Sequence, residues 1–115
     1  MGRRNRQRTK LAAPVTEYSD PEVGTLALRG SLTPGSRREY AETLAGGLDR
    51  EDARQRATEL LFERLAVSWT IAGVTTAASR ELLQRYRMAS RAERDFLRES
   101  LRQHAEEHFP DLQAP

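Results

Sequence analysis

Residues 59–74 read ELLFERLAVSWTIAGV, and large apolar side chains fill most of this segment. Apolar residues recur there at spacings of three and four, as on one face of a helix. With Asp49 as an N-cap and Gly73 as a stop signal, the pattern predicts one long helix from about Arg50 to Ala72. Because such a helix is apolar nearly all round after residue 60, it is either the central helix of a bundle or the seam of an oligomer.

Helix-boundary signals predict one helix on each side of this segment. Thr33 is a suitable N-cap, and Pro34 follows it at the first helical position. That helix ends at the glycine pair 46–47, which is a strong stop signal. Downstream, either Thr75 or Thr76 begins the next helix, whose apolar residues lie on one side. Both flanking helices are rather short.

The last helix has the clearest boundaries. Ser90 and Glu93 have the spacing of a capping box, in which each side chain bonds to the backbone of the other. The helical pattern runs from about Arg91 to His108, and Pro110 lies just past its end. Four helices joined by short loops predict an all-α fold, a small antiparallel bundle of about four helices.

One segment upstream of the helices has a different pattern. The sequence GTLALRG at 24–30 places leucines at alternate positions between two glycines, which predicts one short strand near 25–29. A lone strand needs a partner, so it pairs with the upstream APVTEY, joins another chain, or is merely extended. We therefore predict two regions, a disordered basic arm and linker at 1–24 and a single helical domain at 25–115.

The composition restricts the class of protein. The chain has 115 residues, enough for one domain with a modest core, with 37% apolar and 31% charged residues. It has no cysteine, which excludes disulfide and thiolate chemistry and gives no sign of an oxidising compartment. No apolar run approaches the length of a membrane span or a signal-peptide core. We expect a cytoplasmic protein with no membrane partner and no cofactor.

The positive charge is concentrated in the first ten residues, MGRRNRQRTK, which contain five basic residues and no acid. The other 105 residues contain 14 basic and 17 acidic residues, a net charge of −3. A cluster of this kind can follow a phosphate backbone without a fixed fold, and arginine-rich segments often fold on meeting RNA. A solvated tail explains the same residues equally well. The candidate polyanion-binding residues are Arg3, Arg4, Arg6, Arg8 and Lys10.

The segment HAEEH at 104–108 matches H-x-x-E-H, the inverted zinc-peptidase motif. On a helix His104 and His108 share one face, and Glu107 would lie beside them as a general base. A catalytic zinc also needs a third protein ligand, and the chain has no further histidine and no cysteine to supply one. We therefore assign no metal site and interpret both histidines as structural, His104 flanking a buried stripe and His108 placed favourably at a helix C-terminus.

Two other surfaces are worth noting. If the flanking helices leave part of the apolar segment uncovered, Phe62 and Trp69 would contact a protein partner or a second copy of the chain. Full coverage by the neighbouring helices is an equally good explanation. A second run of arginines is interspersed with acids and interrupted at Ser90, so we interpret it as a mixed-charge exterior. Its members are Arg85, Arg87, Arg91, Arg94 and Arg98.

No nucleophile–base pair, phosphate-binding glycine loop or complete metal-ligand set is present, so we expect a protein that is not an enzyme. The favoured function is an adaptor or assembly factor that contacts protein through its helical body and a polyanion through its arm. The first alternative is a nucleic-acid-binding protein that holds RNA or DNA mainly through the arginine-rich arm. The second alternative is a metal-dependent hydrolase that uses the H-x-x-E-H segment.

Overall fold

The computed structural model describes residues 14–115 and has an α+β fold. Helices and strands alternate in pairs along the chain. The strands are β1 (Val15–Asp20), β2 (Gly24–Arg29), β3 (Ala66–Ile71) and β4 (Val74–Thr76). The helices are α1 (Pro34–Ala45), α2 (Arg50–Leu65), α3 (Ser79–Arg87) and α4 (Arg91–His108).

The four strands form one antiparallel sheet in the order β1-β2-β3-β4. The strand expected near 25–29 is present as β2, and it pairs with the upstream segment, one of the three arrangements considered. Because β1 begins at Val15, the expected boundary after residue 24 falls inside the first hairpin. The pair of helices α1 and α2 connects β2 to β3. A bulge between Ala27 and Leu28 shifts the pairing register of β2 against β3.

The prediction of an all-α bundle is wrong, because the long helix expected from Arg50 to Ala72 ends at Leu65. The chain enters β3 at the next residue, since Ala66 caps α2 and also begins the strand. The strand segment AVSWTI is rich in β-branched residues and contains a tryptophan, both of which favour strands when a pairing partner is available. Here β2 supplies that partner.

The core lies between the sheet and the helices. Tyr18, Leu26 and Trp69 are opposite one another on three adjacent strands and pack against helical side chains. The Trp69 indole N–H also donates to the Val23 carbonyl at 3.3 Å, so its polar atom is satisfied inside the core. The helical contribution to this core comes from Tyr40, Ala57, Leu61, Phe62, Leu65, Leu82, Leu97, Leu101 and Ala105.

One glycine fixes the approach of β2 to β3. Gly24 has φ +111°, and a Cβ added there would lie 2.0 Å from the Thr70 carbonyl oxygen. Two non-bonded heavy atoms cannot come this close, so only glycine allows the strands to pair at this point.

The predicted helix caps are correct at three starts. The Thr33 side chain accepts from the backbone of Ser36, and the Asp49 side chain accepts from Glu51. Ser90 forms the expected capping box at the start of α4. The start of α3 differs, because the two threonines expected to begin it belong to β4 and the helix starts at Ser79 without a side-chain cap.

Candidate functional site

The predicted site residues occupy two very different places. The five basic residues of the arm lie outside the described residues. Phe62 and Trp69 lie in the core, with side chains 0% and 1% exposed. Neither ring therefore offers a surface to a protein partner in this structure, because α2, α3 and the sheet enclose both. The Phe62 ring packs at 4.8 Å from that of Tyr86, and the Arg85 guanidinium lies 4.9 Å above Trp69.

His104 is fully buried and both of its ring nitrogens are hydrogen-bonded. Nε2 lies 2.8 Å from the Arg29 carbonyl oxygen, which can only accept, so Nε2 carries a proton. In the neutral ring Nδ1 is then the acceptor, and the Tyr18 hydroxyl donates to it at 2.9 Å. Burial lowers the pKa of His104, which favours this neutral form. Neither nitrogen keeps a lone pair for a metal ion.

The other members of the motif serve the same contact between α4 and β1. His108 Nε2 lies 3.3 Å from the Thr16 hydroxyl, and the two imidazole rings pack with centroids 4.3 Å apart. Glu107 lies 3.4 Å from the Tyr18 hydroxyl. Burial, followed by the charge of Glu107, raises the pKa of Tyr18 to about 12, so this phenol stays protonated at neutral pH. Within residues 14–115 no cluster of three or more His, Cys, Asp or Glu side chains is placed to hold a metal ion.

A row of arginines lies along α4. Its members recur at spacings of three, four and four, which places them on one side of the helix. All four side chains are exposed, and none forms an ion pair within the described part of the chain. The row spans about 16 Å at 1.5 Å per helical residue. We call it the α4 arginine row, and it consists of Arg91, Arg94, Arg98 and Arg102.

Arg94 is also fixed to the neighbouring helix. Its guanidinium donates to the carbonyl oxygens of Arg87, the last residue of α3, and of Ala89 just after it, at 3.2 and 3.3 Å. A cation is favoured there because the carbonyls at a helix C-terminus carry partial negative charge. The contact positions the first half of the row against α3.

A cleft lies where α2, α3 and α4 meet, and we call it the α2–α4 cleft. Its volume is about 180 Å³, and it opens to solvent. Arg94 and Arg98 of the row reach it from α4, Arg54 from α2 and Tyr86 from α3. Five arginines and three carboxylates line the cleft, which leaves a net charge of +2.

Three members of this row belong to the run of arginines that the sequence alone presents as a mixed-charge exterior. The spacing of Arg91, Arg94 and Arg98 is visible in the sequence, but the interruption at Ser90 and the intervening acids favour a mixed-charge exterior. Within the helix that begins after the capping box, the same arginine spacing extends to Arg102. The contribution of Arg54 depends on the packing of α2 beside α4, for which the sequence contains no local signal.

Comparison with protein families, characterised proteins and solved structures finds no match for this chain. Among residues 14–115, no helix combines the length and the apolar character needed to cross a membrane.

Proposed function

We propose that the chain is a non-enzymatic accessory protein that binds nucleic acid along the α4 arginine row, assisted by its basic arm. The row is the observation that carries the proposal. Four guanidinium groups lie on one helix side without carboxylate partners in the described chain. Arg94 uses two donors on carbonyl oxygens at the end of α3. Arg91, Arg98 and Arg102 can contact phosphates.

The length of the row suits a phosphate backbone. Each strand of a duplex carries one negative charge per 3.4 Å of helix axis, so a row of about 16 Å faces several phosphates at once. Such contacts position a protein on nucleic acid but read no sequence. We therefore propose binding without strong sequence preference.

The wider charge distribution favours a local contact. The chain outside the arm has a net charge of −3, so its field as a whole does not attract a polyanion. The arm, with five positive charges in ten residues, supplies the long-range attraction, and the row would supply the ordered contact. We also propose that the protein acts as an adaptor that binds a protein partner. The lack of cysteine favours a cytoplasmic location.

Fluorescence anisotropy with a generic single strand, a duplex and an RNA strand tests this function. The full chain is compared with a triple variant, Arg91→Gln/Arg98→Gln/Arg102→Gln, between about 50 and 200 mM salt. These three arginines form no ion pair or side-chain hydrogen bond within residues 14–115, so we expect their replacement to leave the fold intact. We expect binding to weaken at least tenfold at low salt. The slope of log K against log salt should fall by about 0.7 to 0.9 for each lost phosphate contact.

The matched control is Arg29→Gln/Arg38→Gln/Arg80→Gln, which removes the same charge from exposed positions off the row. It should reduce binding much less. Equal loss in both triple variants would show that only net charge matters, and the row would no longer be the binding site. Absence of binding by the full chain near physiological salt would contradict the proposed function itself. Deletion of residues 1–10 in a parallel series measures how much the arm contributes to nucleic-acid affinity.

A further inference from the structure

The charges in the α2–α4 cleft do not cancel, even after each acid is assigned to its nearest cation. Arg56 is paired with Asp52 at 3.0 Å, and Arg87 with Glu59 at 2.6 Å. Arg54 is 3.6 Å from Glu51, a distance too long for a good hydrogen bond. Both cations reaching the cleft from α4, Arg94 and Arg98, lack a carboxylate partner within residues 14–115. A bound ligand with two negative charges would balance the net +2.

Hydrogen-bond donors dominate the cleft groups that have no carboxylate within hydrogen-bonding distance. Arg98 and Arg54 present N–H groups only, because a guanidinium has no acceptor. Tyr86 lines the same cleft, and its hydroxyl makes no hydrogen bond within the described chain. Burial and the neighbouring Glu59 raise the pKa of Tyr86, so its hydroxyl is a donor at neutral pH. An acceptor-rich, donor-poor ligand would fit these groups.

The size of the cleft sets an upper limit on what it encloses. Pockets that surround a whole organic ligand hold roughly 300 to 1,000 Å³, well above the 180 Å³ found here. A cleft smaller than such a pocket surrounds only part of an organic ligand. It can therefore take one small group, with the rest of any larger ligand outside.

We propose that the α2–α4 cleft binds a phosphate monoester group, with Arg54, Arg98 and the Tyr86 hydroxyl as its donors. A phosphate monoester carries a charge of about −1.5 to −2 at neutral pH and offers three acceptor oxygens. An internal phosphate of a nucleic-acid backbone carries only one charge, so the cleft prefers a terminal phosphate. This site adds a ligand class to the proposed function. That the phosphate belongs to the end of a nucleic-acid strand rests on the proposed function. A free phosphorylated small molecule has the same chemistry.

Two oligonucleotides of one sequence, ending in a 5′-phosphate or a 5′-hydroxyl, test the site with the full chain. We expect the phosphorylated strand to bind about five to ten times more tightly, as for a charge-assisted contact near the surface. The preference should shrink when the pH falls from about 7.5 to 5.5, because the second pKa of the phosphate is about 6.

Arg54→Gln separates this site from the α4 arginine row, because Arg54 lies on α2. The variant should lose the preference for the phosphorylated end and keep its affinity for the hydroxyl end. Tyr86→Phe should lose part of the preference, since it removes only the hydroxyl. Arg80→Gln removes one exposed charge elsewhere and should keep the preference intact.

A third arm uses inorganic phosphate against chloride at equal ionic strength, with chemical shifts of the protein as the readout. Shifts that depend on Arg54, without a preference for the oligonucleotide end, would support the cleft and assign it to a free phosphorylated molecule. No effect of phosphate in either form would overturn the site. Binding of the hydroxyl-ended strand reports on the proposed function alone, so the two ideas fail separately.

Discussion

His104 lies at the contact between α4 and the edge strand β1. Its ring bridges the Arg29 carbonyl on β2 and the Tyr18 hydroxyl on β1, at 2.8 and 2.9 Å. A buried imidazole with both nitrogens satisfied avoids the cost of an unbonded polar group, which is about 1 to 3 kcal/mol. His104 of the H-x-x-E-H motif therefore has a structural role.

The pKa of His104 predicts how the stability of the protein changes with pH. Burial lowers the pKa in the folded state, the charge of His108 acts in the same direction, and the Arg29 carbonyl and Glu107 oppose them. The unfolded chain keeps an ordinary pKa near 6.5 and therefore binds the proton more readily. The contribution of His104 to the free energy of unfolding is therefore at its full value above about pH 6.5 and decreases as the pH falls below it. We expect the midpoint of urea unfolding to decrease between about pH 7.5 and 5.5.

Two glutamine variants assign that decrease to one residue. His104→Gln removes the titrating ring and keeps a donor near the Nε2 position, so the decrease should become much smaller. His108→Gln changes the half-buried neighbouring ring and should keep most of it. The same pH dependence in the wild type and the His104 variant would contradict the assignment. Most carboxylates titrate below this pH range and contribute little to the comparison.

The boundary between α2 and β3 shows why the fold class could not be read from the sequence. Leu65, Trp69 and Ala72 have helical spacing, yet the apolar run Ala66–Ile71 is short enough to form a buried strand instead. What decides between the two is β2, which lies far away in sequence and offers an unpaired edge. Local signals were sufficient where the determinant is local, as at the N-caps of α1, α2 and α4.

The same distinction applies to the candidate site. The arginines of α4 are spaced along one helix, so their common side was predictable once the start of the helix at Ser90 was fixed. Arg54 and Tyr86 join them only through the packing of three helices. Burial of Phe62 and Trp69 is one of the two alternatives that the sequence leaves open, and the structure decides between them, with Trp69 in the core on β3 instead of on a long helix.

The turn between β3 and β4 is the place where a single substitution should stabilise a strand pair. Ala72 and Gly73 have φ +50° and +81°, and Ile71 pairs with Val74 around them. Two positive φ values in a two-residue hairpin loop correspond to a type I′ turn, which favours Asn-Gly. An alanine in the left-handed region costs about 1 kcal/mol, and asparagine tolerates it better. We expect Ala72→Asn to raise the unfolding free energy by about 0.5 to 1 kcal/mol.

Chemical denaturation of matched variants measures this effect. Ala77→Asn introduces the same side chain at an exposed position just after β4, where φ is not positive, and should change the stability little. A loss of stability in Ala72→Asn would show that the turn does not adopt this conformation in solution. An equal gain in both variants would point to a general effect of asparagine on solubility or on the unfolded chain.

The sheet and the helices share one core, and this has consequences for the whole chain. Its members come from β2, β3 and all four described helices, and Phe109 beyond α4 also belongs to it. Tyr18 of β1 packs against the same cluster. Because neither layer can bury its apolar face without the other, loss of one layer exposes the other to water.

This shared core predicts that the described part of the chain unfolds in one step. Trp69, the only tryptophan in the sequence, reports on the sheet through its fluorescence, whereas far-UV circular dichroism reports mainly on the helices. The two transitions should coincide in urea, as for a small two-state domain.

Leu97→Ala, in α4, should shift both midpoints together and destabilise the protein by about 2 to 5 kcal/mol, because it leaves a cavity in the common core. Leu26→Ala, in β2, should do the same from the sheet side. If the α4 substitution moved the dichroism transition and left the Trp69 transition in place, the helices would unfold independently, and the sheet would be stable without the layer that covers it.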